Sequence, residues 1–92
     1  MIVSFACPET EKLFNGQKNR LPKEIQSVGL RKLIFLSQAN NLDELKVPPS
    51  NHLHPLIRKR KGQHAIWINK KYRLCFRFKN SNAYDAEITD YH

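Results

Sequence analysis

Five residues of this chain together supply the types that move protons and grip phosphate: His54, Arg73, Asp90, Tyr91 and His92. Cleaving an RNA phosphodiester without a metal takes one group to accept the 2′-hydroxyl proton, a cation for the charge growing on the phosphoryl oxygens, and an acid for the departing 5′-oxygen. Imidazole suits the first or the last, because its pKa lies near neutrality. Guanidinium suits the second, because its fork matches two phosphate oxygens. The stretch "TDYH" also has a plain reading, as ordinary surface residues with Tyr91 closing the edge of a sheet.

Other chemistries find less support. His52, His54, His64 and His92 offer an H-x-H pair without a third close ligand, a weak zinc pattern, so no metal or other cofactor is expected and His52 reads as a loop residue. There is no serine nucleophile motif, Gly-rich phosphate loop or dinucleotide fingerprint. Trp67 can stack on a base or join the core, and Tyr72 shares the face of Leu74 and reads as core.

The charge distribution narrows the partner. Sixteen Lys and Arg against eight Asp and Glu give a net charge of +8. The stretches "HPLIRKRKGQH" and "NKKYRLCFRFK" hold nine of the cations and no acidic residue: Arg58, Lys59, Arg60, Lys61, Lys70, Lys71, Arg73, Arg77 and Lys79. Such clustering fits a polyanion, and nucleic acid before a merely solvated face. With 92 residues and 40% hydrophobic composition, the sequence reads as one domain spanning 1–92. A chain this short buries roughly 60–65% of its unfolded surface, so a site must be a groove or an open face. No apolar run reaches the roughly 20 residues of a membrane span and no signal-peptide pattern opens the chain, so a cytoplasmic protein with no membrane partner is expected. Cys7 and Cys75 lack C-x-x-C spacing and read as reduced thiols.

These residues need elements to position them. "IVSF" suggests a first strand, and "CPETEKLFNG" a short helix opened by Pro8 and closed by Gly16. From Pro22 onward, Ile25, Val28, Leu33, Leu36 and Ala39 form a helical stripe. Lys32 falls within that stripe, its stem covering apolar surface, and Gly29 suggests a close backbone approach. Asn41 is expected to cap a further turn of helix that Pro48 and Pro49 stop.

The second half alternates with a period of two in "HAIWIN", "YRLCFRF" and "AYDAEITDY", which predicts half-buried antiparallel strands. Leu74, Phe76 and Phe78 take one face, with Arg73, Cys75 and Arg77 on the other. In the last strand Tyr84, Ala86 and Ile88 are expected on one face, with Asp85, Glu87, Thr89 and Tyr91 opposite. Residues directly across a strand pair share a face, so Phe76 must oppose Tyr84 or Ala86. The second pairing, with Asn80 to Asn82 in the turn, sets Arg73 opposite Thr89 and diagonal to Tyr91. The fold class is α+β: an antiparallel sheet with two to three helices on one face and the other face basic.

The stretches "NHLHPL", "GQHAIWINKKYRLCF" and "AEITDYH" resemble the HigB family of bacterial toxins, within the RelE superfamily, and the likeness runs essentially from Met1 to His92. The resemblance implies a compact RelE-like fold, a HigA-like antitoxin carrying a helix-turn-helix, and ribosome-dependent cleavage of mRNA in the A site. It marks His54, Arg73, Asp90, Tyr91 and His92 as catalytic. The cations Arg58, Lys59, Arg60, Lys61, Lys70, Lys71 and Arg77 are the expected RNA and ribosome contacts. One position departs: the family's lysine after "HPL" is Ile57 here, followed by "RKRKG". A second hypothesis is therefore a basic module that binds RNA or the ribosome and blocks translation without cutting. A third, a DNA-binding protein, lacks a recognition-helix pattern. For Arg73 the structural alternative to phosphate binding is pairing with Glu87 or stacking on Trp67.

Overall fold

A computed structural model describes residues 1–90 of the chain. Two α-helices, α1 (Pro8–Phe14) and α2 (Lys23–Gln38), precede a four-stranded antiparallel sheet of β1 (His54–Pro55), β2 (His64–Trp67), β3 (Tyr72–Lys79) and β4 (Asn82–Asp90), in the order β1-β2-β3-β4. Three short 3₁₀ turns, Leu42–Lys46, Pro49–Asn51 and Arg58–Arg60, fill the connections. The α+β class read from the sequence is borne out. Among the described residues, no helix is long and apolar enough to cross a membrane.

Helix α1 starts as expected, with Pro8 in its first turn, and ends at Asn15 followed by Gly16 at φ +74, a left-handed position that glycine adopts without a Cβ clash. The apolar stripe of α2 buries Ile25, Leu33 and Leu36 against Ile66, Leu74, Phe76 and Ile88. Each such side chain contributes about 1.5–3 kcal/mol of transfer free energy on burial. The Lys32 ammonium ends on Asn51 Oδ1 rather than in open water. Asn51 is fully buried and donates its side-chain N–H to the carbonyls of Leu45 (3.1 Å) and Val47 (3.4 Å). That network ties the loop after α2 to the helix and leads directly into the site. Burial, with Arg31 nearby, lowers the Lys32 pKa.

Gly29 meets side chains rather than backbone: a Cβ there would lie 3.1 Å from Ile88 Cδ1 and 3.4 Å from Leu13 Cδ2. The expected first strand is also absent. Ile2 and Phe5 make isolated parallel bridges to Ala83 and Ala86. This segment still covers the outer edge of β4, because Met1 O and Ser4 O accept the N–H groups of Ala83 and Ala86 at 2.8 and 3.1 Å. Ser4 Oγ and Thr10 Oγ1 accept those of Asp85 and Ile88 at 2.9 and 3.0 Å. A covered edge gives no template for pairing with another chain.

The β3–β4 hairpin corrects the expected turn while preserving its consequence. Lys79 pairs with Asn82, so the turn is Asn80–Ser81, both at positive φ (52 and 67). The extra residue lies within β4: the register shifts between Cys75 and Arg77, with Asp85 at φ 55. Arg73 therefore opposes Thr89, as in the second of the two pairings that parity allowed. Before the bulge the faces are exchanged: Ala83 is buried, and Tyr84 opposes Arg77 on the basic face rather than sharing the face of Ile88.

Candidate active site

Strand pairing brings His54 and Arg73 onto the same side of the sheet. His54 opposes Ala65, and Ala65 opposes Cys75, which opposes Glu87. The next row on that face is Trp67, Arg73 and Thr89. This face lies away from the helices, and His52, Leu53, His54, Trp67 and Arg73 line a groove of about 470 Å³ on it. Leu56 covers Ala65 and Cys75 in a small second core, so the sheet face is closed beside the groove and open within it.

The imidazole of His54 is oriented by main chain. Its Nδ1 lies 2.7 Å from the carbonyl oxygen of His52. A carbonyl only accepts, so Nδ1 carries the hydrogen and the neutral ring keeps its lone pair at Nε2. Arg73 is held from two directions. Its Nη1 donates to the carbonyls of Asn69 (2.5 Å), Lys70 (2.9 Å) and Tyr72 (3.3 Å). Its Cζ lies 4.1 Å from the centre of the Trp67 ring. Stacking is thus present, and the alternative partner Glu87 is taken by Arg60. Trp67 is the ring on which Arg73 rests, and the His52 ring contacts the same indole at 4.1 Å and 34°. The sequence reading assigned His52 no role because its contribution depends on one left-handed residue, φ 48 and ψ 45, which spacing does not reveal.

The basic residues divide into two sets. Arg60 Nη1 pairs with Glu87 Oε1 at 3.2 Å and donates to Gln63 Oε1 at 3.1 Å, with 30% and 27% of the two charged side chains exposed. Arg77 pairs with Asp85 (3.5 Å) and donates to Lys61 O (3.4 Å). Gly62, at φ +94, lets that guanidinium approach, since a Cβ there would sit 2.6 Å from Arg77 Nη1. Lys71 lies 3.7 Å from Asp90 and over the Tyr72 ring. Arg58, Lys59, Lys61 and Lys70 are exposed. Ile57 is 68% exposed, an apolar side chain on the rim of a basic turn.

Asp90 opposes Tyr72, and alternation along β4 puts it with Ile88 on the side the helices cover, one residue past the Arg73–Thr89 row. Tyr91 and His92 lie outside the described residues, so their convergence with His54 and Arg73 rests on the resemblance. Beside the groove, burial and the charge of His54 lower the pKa of His64, whose Nδ1 is buried without a hydrogen-bond partner among the described residues. Among those residues no three His, Cys, Asp or Glu side chains come together as a metal-ligand set.

Three comparisons bear on this geometry. The family model described as the RelE-like toxin of the type II toxin-antitoxin system HigB matches residues 4–92. The chain is 31% identical over 90 residues to Toxin HigB-1 of Vibrio cholerae, covering 96% of this chain and 95% of that protein. It is 35% identical over 68 residues to an uncharacterized protein of Haemophilus influenzae, covering 74% of this chain and 67% of that one. Among solved structures, a chain of the YoeB-YefM complex from Staphylococcus aureus superposes with a TM-score of 0.56 at 13% identity, covering 100% of this chain and 98% of that one.

Proposed function

The chain belongs to the HigB-like toxins, RelE-like toxins of type II toxin-antitoxin systems, and on that premise we propose that it is a ribosome-dependent endoribonuclease that cuts mRNA in the A site. The observation that carries the reading is the groove in which an oriented imidazole, His54, and a stacked guanidinium, Arg73, share one face. His54 Nε2 takes the proton of the 2′-hydroxyl as its oxygen attacks phosphorus. Arg73 faces the negative charge that accumulates on the non-bridging oxygens. The bond to the 5′-oxygen breaks, leaving a 2′,3′-cyclic phosphate and a 5′-hydroxyl, and the departing oxygen takes a proton from an acid. Tyr91 and His92 are the proposed remaining members of the site, with His92 as that acid; Asp90, expected from the sequence to be catalytic, lies on the helix side of β4 and is instead proposed to hold the end of that strand through Lys71. The reaction draws on no cofactor. Arg58, Lys59, Lys61 and Lys70 supply the phosphate contacts of docking, which neutralise the backbone and make binding salt-dependent.

The protein acts in the cytoplasm. As a type II toxin it has an antitoxin partner, and we assign that partner to the HigA-like helix-turn-helix class. A second reading keeps one specific observation in its favour: Ile57, exposed where the family carries lysine, removes a phosphate ligand, which fits a protein that occupies the ribosome without cutting. Primer extension on messages from cells producing the toxin separates the two. Cutting leaves new 5′ ends inside codons. Blocking leaves full-length messages with fewer translating ribosomes.

A further inference from the structure

His52 touches one proposed catalytic group, His54, with its carbonyl and the ring that carries the other, Trp67 beneath Arg73, with its imidazole. Its backbone is left-handed, at φ 48 and ψ 45, just after the Pro49–Asn51 turn. Asn51, the residue before it, is fully buried and fixed by Leu45 O, Val47 O and Lys32. With that anchor upstream, the left-handed step places the His52 carbonyl 2.7 Å from Nδ1 of His54. The imidazole of His52 leans on Trp67 at 4.1 Å, and Trp67 carries Arg73 at 4.1 Å.

We propose that His52 is a positioning residue, whose carbonyl fixes His54 as the Nδ1–H tautomer and whose ring, through Trp67, sets the aim of Arg73. Histidines free of such a constraint exchange between tautomers. Only the Nδ1–H form offers Nε2 as a base, and the same carbonyl then stabilises the imidazolium once Nε2 has taken a proton. The kinetic part of this inference rests on the cleavage reading above. The tautomer part does not.

The test separates backbone from ring. His52→Asn keeps a residue that tolerates the left-handed region and so keeps the carbonyl, but removes the stacked imidazole. His52→Val places a β-branched side chain where that conformation is strained, and displaces the carbonyl. Long-range ¹H–¹⁵N spectra of the purified toxin, without ribosomes, read the His54 tautomer directly. Wild type and His52→Asn should show a protonated Nδ1 and an unprotonated Nε2 in the neutral ring. His52→Val should show exchange toward the Nε2–H form.

A wild-type protein in the Nε2–H tautomer, or a His52→Val variant with an unchanged spectrum, overturns the proposal. In single-turnover cleavage, displacing the carbonyl should cost on the order of a hundredfold in rate, as for a misplaced catalytic group, and shift the pH profile. His52→Asn should keep the wild-type pH profile while losing rate through Arg73 alone. Equal losses in both variants with one shared pH profile would also overturn it. A wild-type protein with the expected tautomer that cuts no RNA refutes the cleavage reading and leaves the tautomer assignment standing.

Discussion

Replacing Arg60 by Gln should weaken the fold and leave RNA affinity nearly unchanged, the reverse of what its place among Arg58, Lys59 and Lys61 suggests. Arg60 reaches from the 3₁₀ turn to Glu87 on β4, at 3.2 Å, with about 30% of each side chain exposed. The contact holds the turn over the sheet face where Leu56 covers Ala65 and Cys75. Two unit charges at that separation attract by about 5 kcal/mol in an effective dielectric of about 20. Desolvation and loss of side-chain freedom cancel most of this. Charged hydrogen bonds contribute about 1.5–3 kcal/mol, and the remaining exposure reduces the expected coupling to about 1–2 kcal/mol. For a domain of this size that corresponds to a fall in Tm of about 4–16 °C. Urea unfolding of wild type, Arg60→Gln, Glu87→Gln and the double variant isolates the coupling. Salt titrations of ribosome binding complete the assay: Arg58→Gln, Lys59→Gln and Lys61→Gln should each lower the slope by about one unit, whereas Arg60→Gln should not. An Arg60→Gln protein of wild-type stability, with a slope reduced like its neighbours', would refute the assignment.

Three further outcomes are expected, two from the structure and one from the proposed function. Cys75 is fully buried and burial raises its thiol pKa, so a thiol reagent should modify the half-buried Cys7 first and Cys75 only on unfolding, read by mass spectrometry. His64 has a lowered pKa, so as pH falls through the ordinary histidine value of 6.5 the unfolded chain gains a proton that the folded one refuses; stability present above that pH is lost below it, and His64→Phe should flatten this part of the pH dependence of urea unfolding. His92→Ala should relieve growth arrest while the variant keeps wild-type circular dichroism and Tm; a folded, fully toxic variant would remove His92 from the proposed site.

The parts of this fold legible in the sequence are those set by periodicity. The α2 stripe and the alternation in β3 gave the layers. Parity narrowed the hairpin to two pairings, one of which held Arg73 opposite Thr89, although the odd residue that this pairing put in the turn lies within β4. Asp85, left-handed inside β4, absorbs it. Strand β1 is two residues long, too short for any alternation, so His54 could not be put on the Arg73 face by pattern alone. Charge runs were legible as composition but not as function. Glu87 lies 27 residues from Arg60 and Asp85 lies on another strand from Arg77, so the acidic partner that each arginine meets could not be read from the runs themselves. His52 read as a loop residue because its contact with His54 is made by a carbonyl, which every residue has.

The central claim is that Arg73 and His54 cut RNA together, and single-turnover cleavage of mRNA on programmed ribosomes tests it most directly with Arg73→Lys. Lysine keeps the charge and loses the bidentate fork. Loss of one charge-stabilising donor costs about 2.7–4 kcal/mol in other enzymes, so the rate should fall on the order of a hundredfold or more while ribosome binding persists. An Arg73→Lys protein that cuts at the wild-type rate, or a wild-type protein that binds the programmed ribosome and leaves the message whole, would contradict the account.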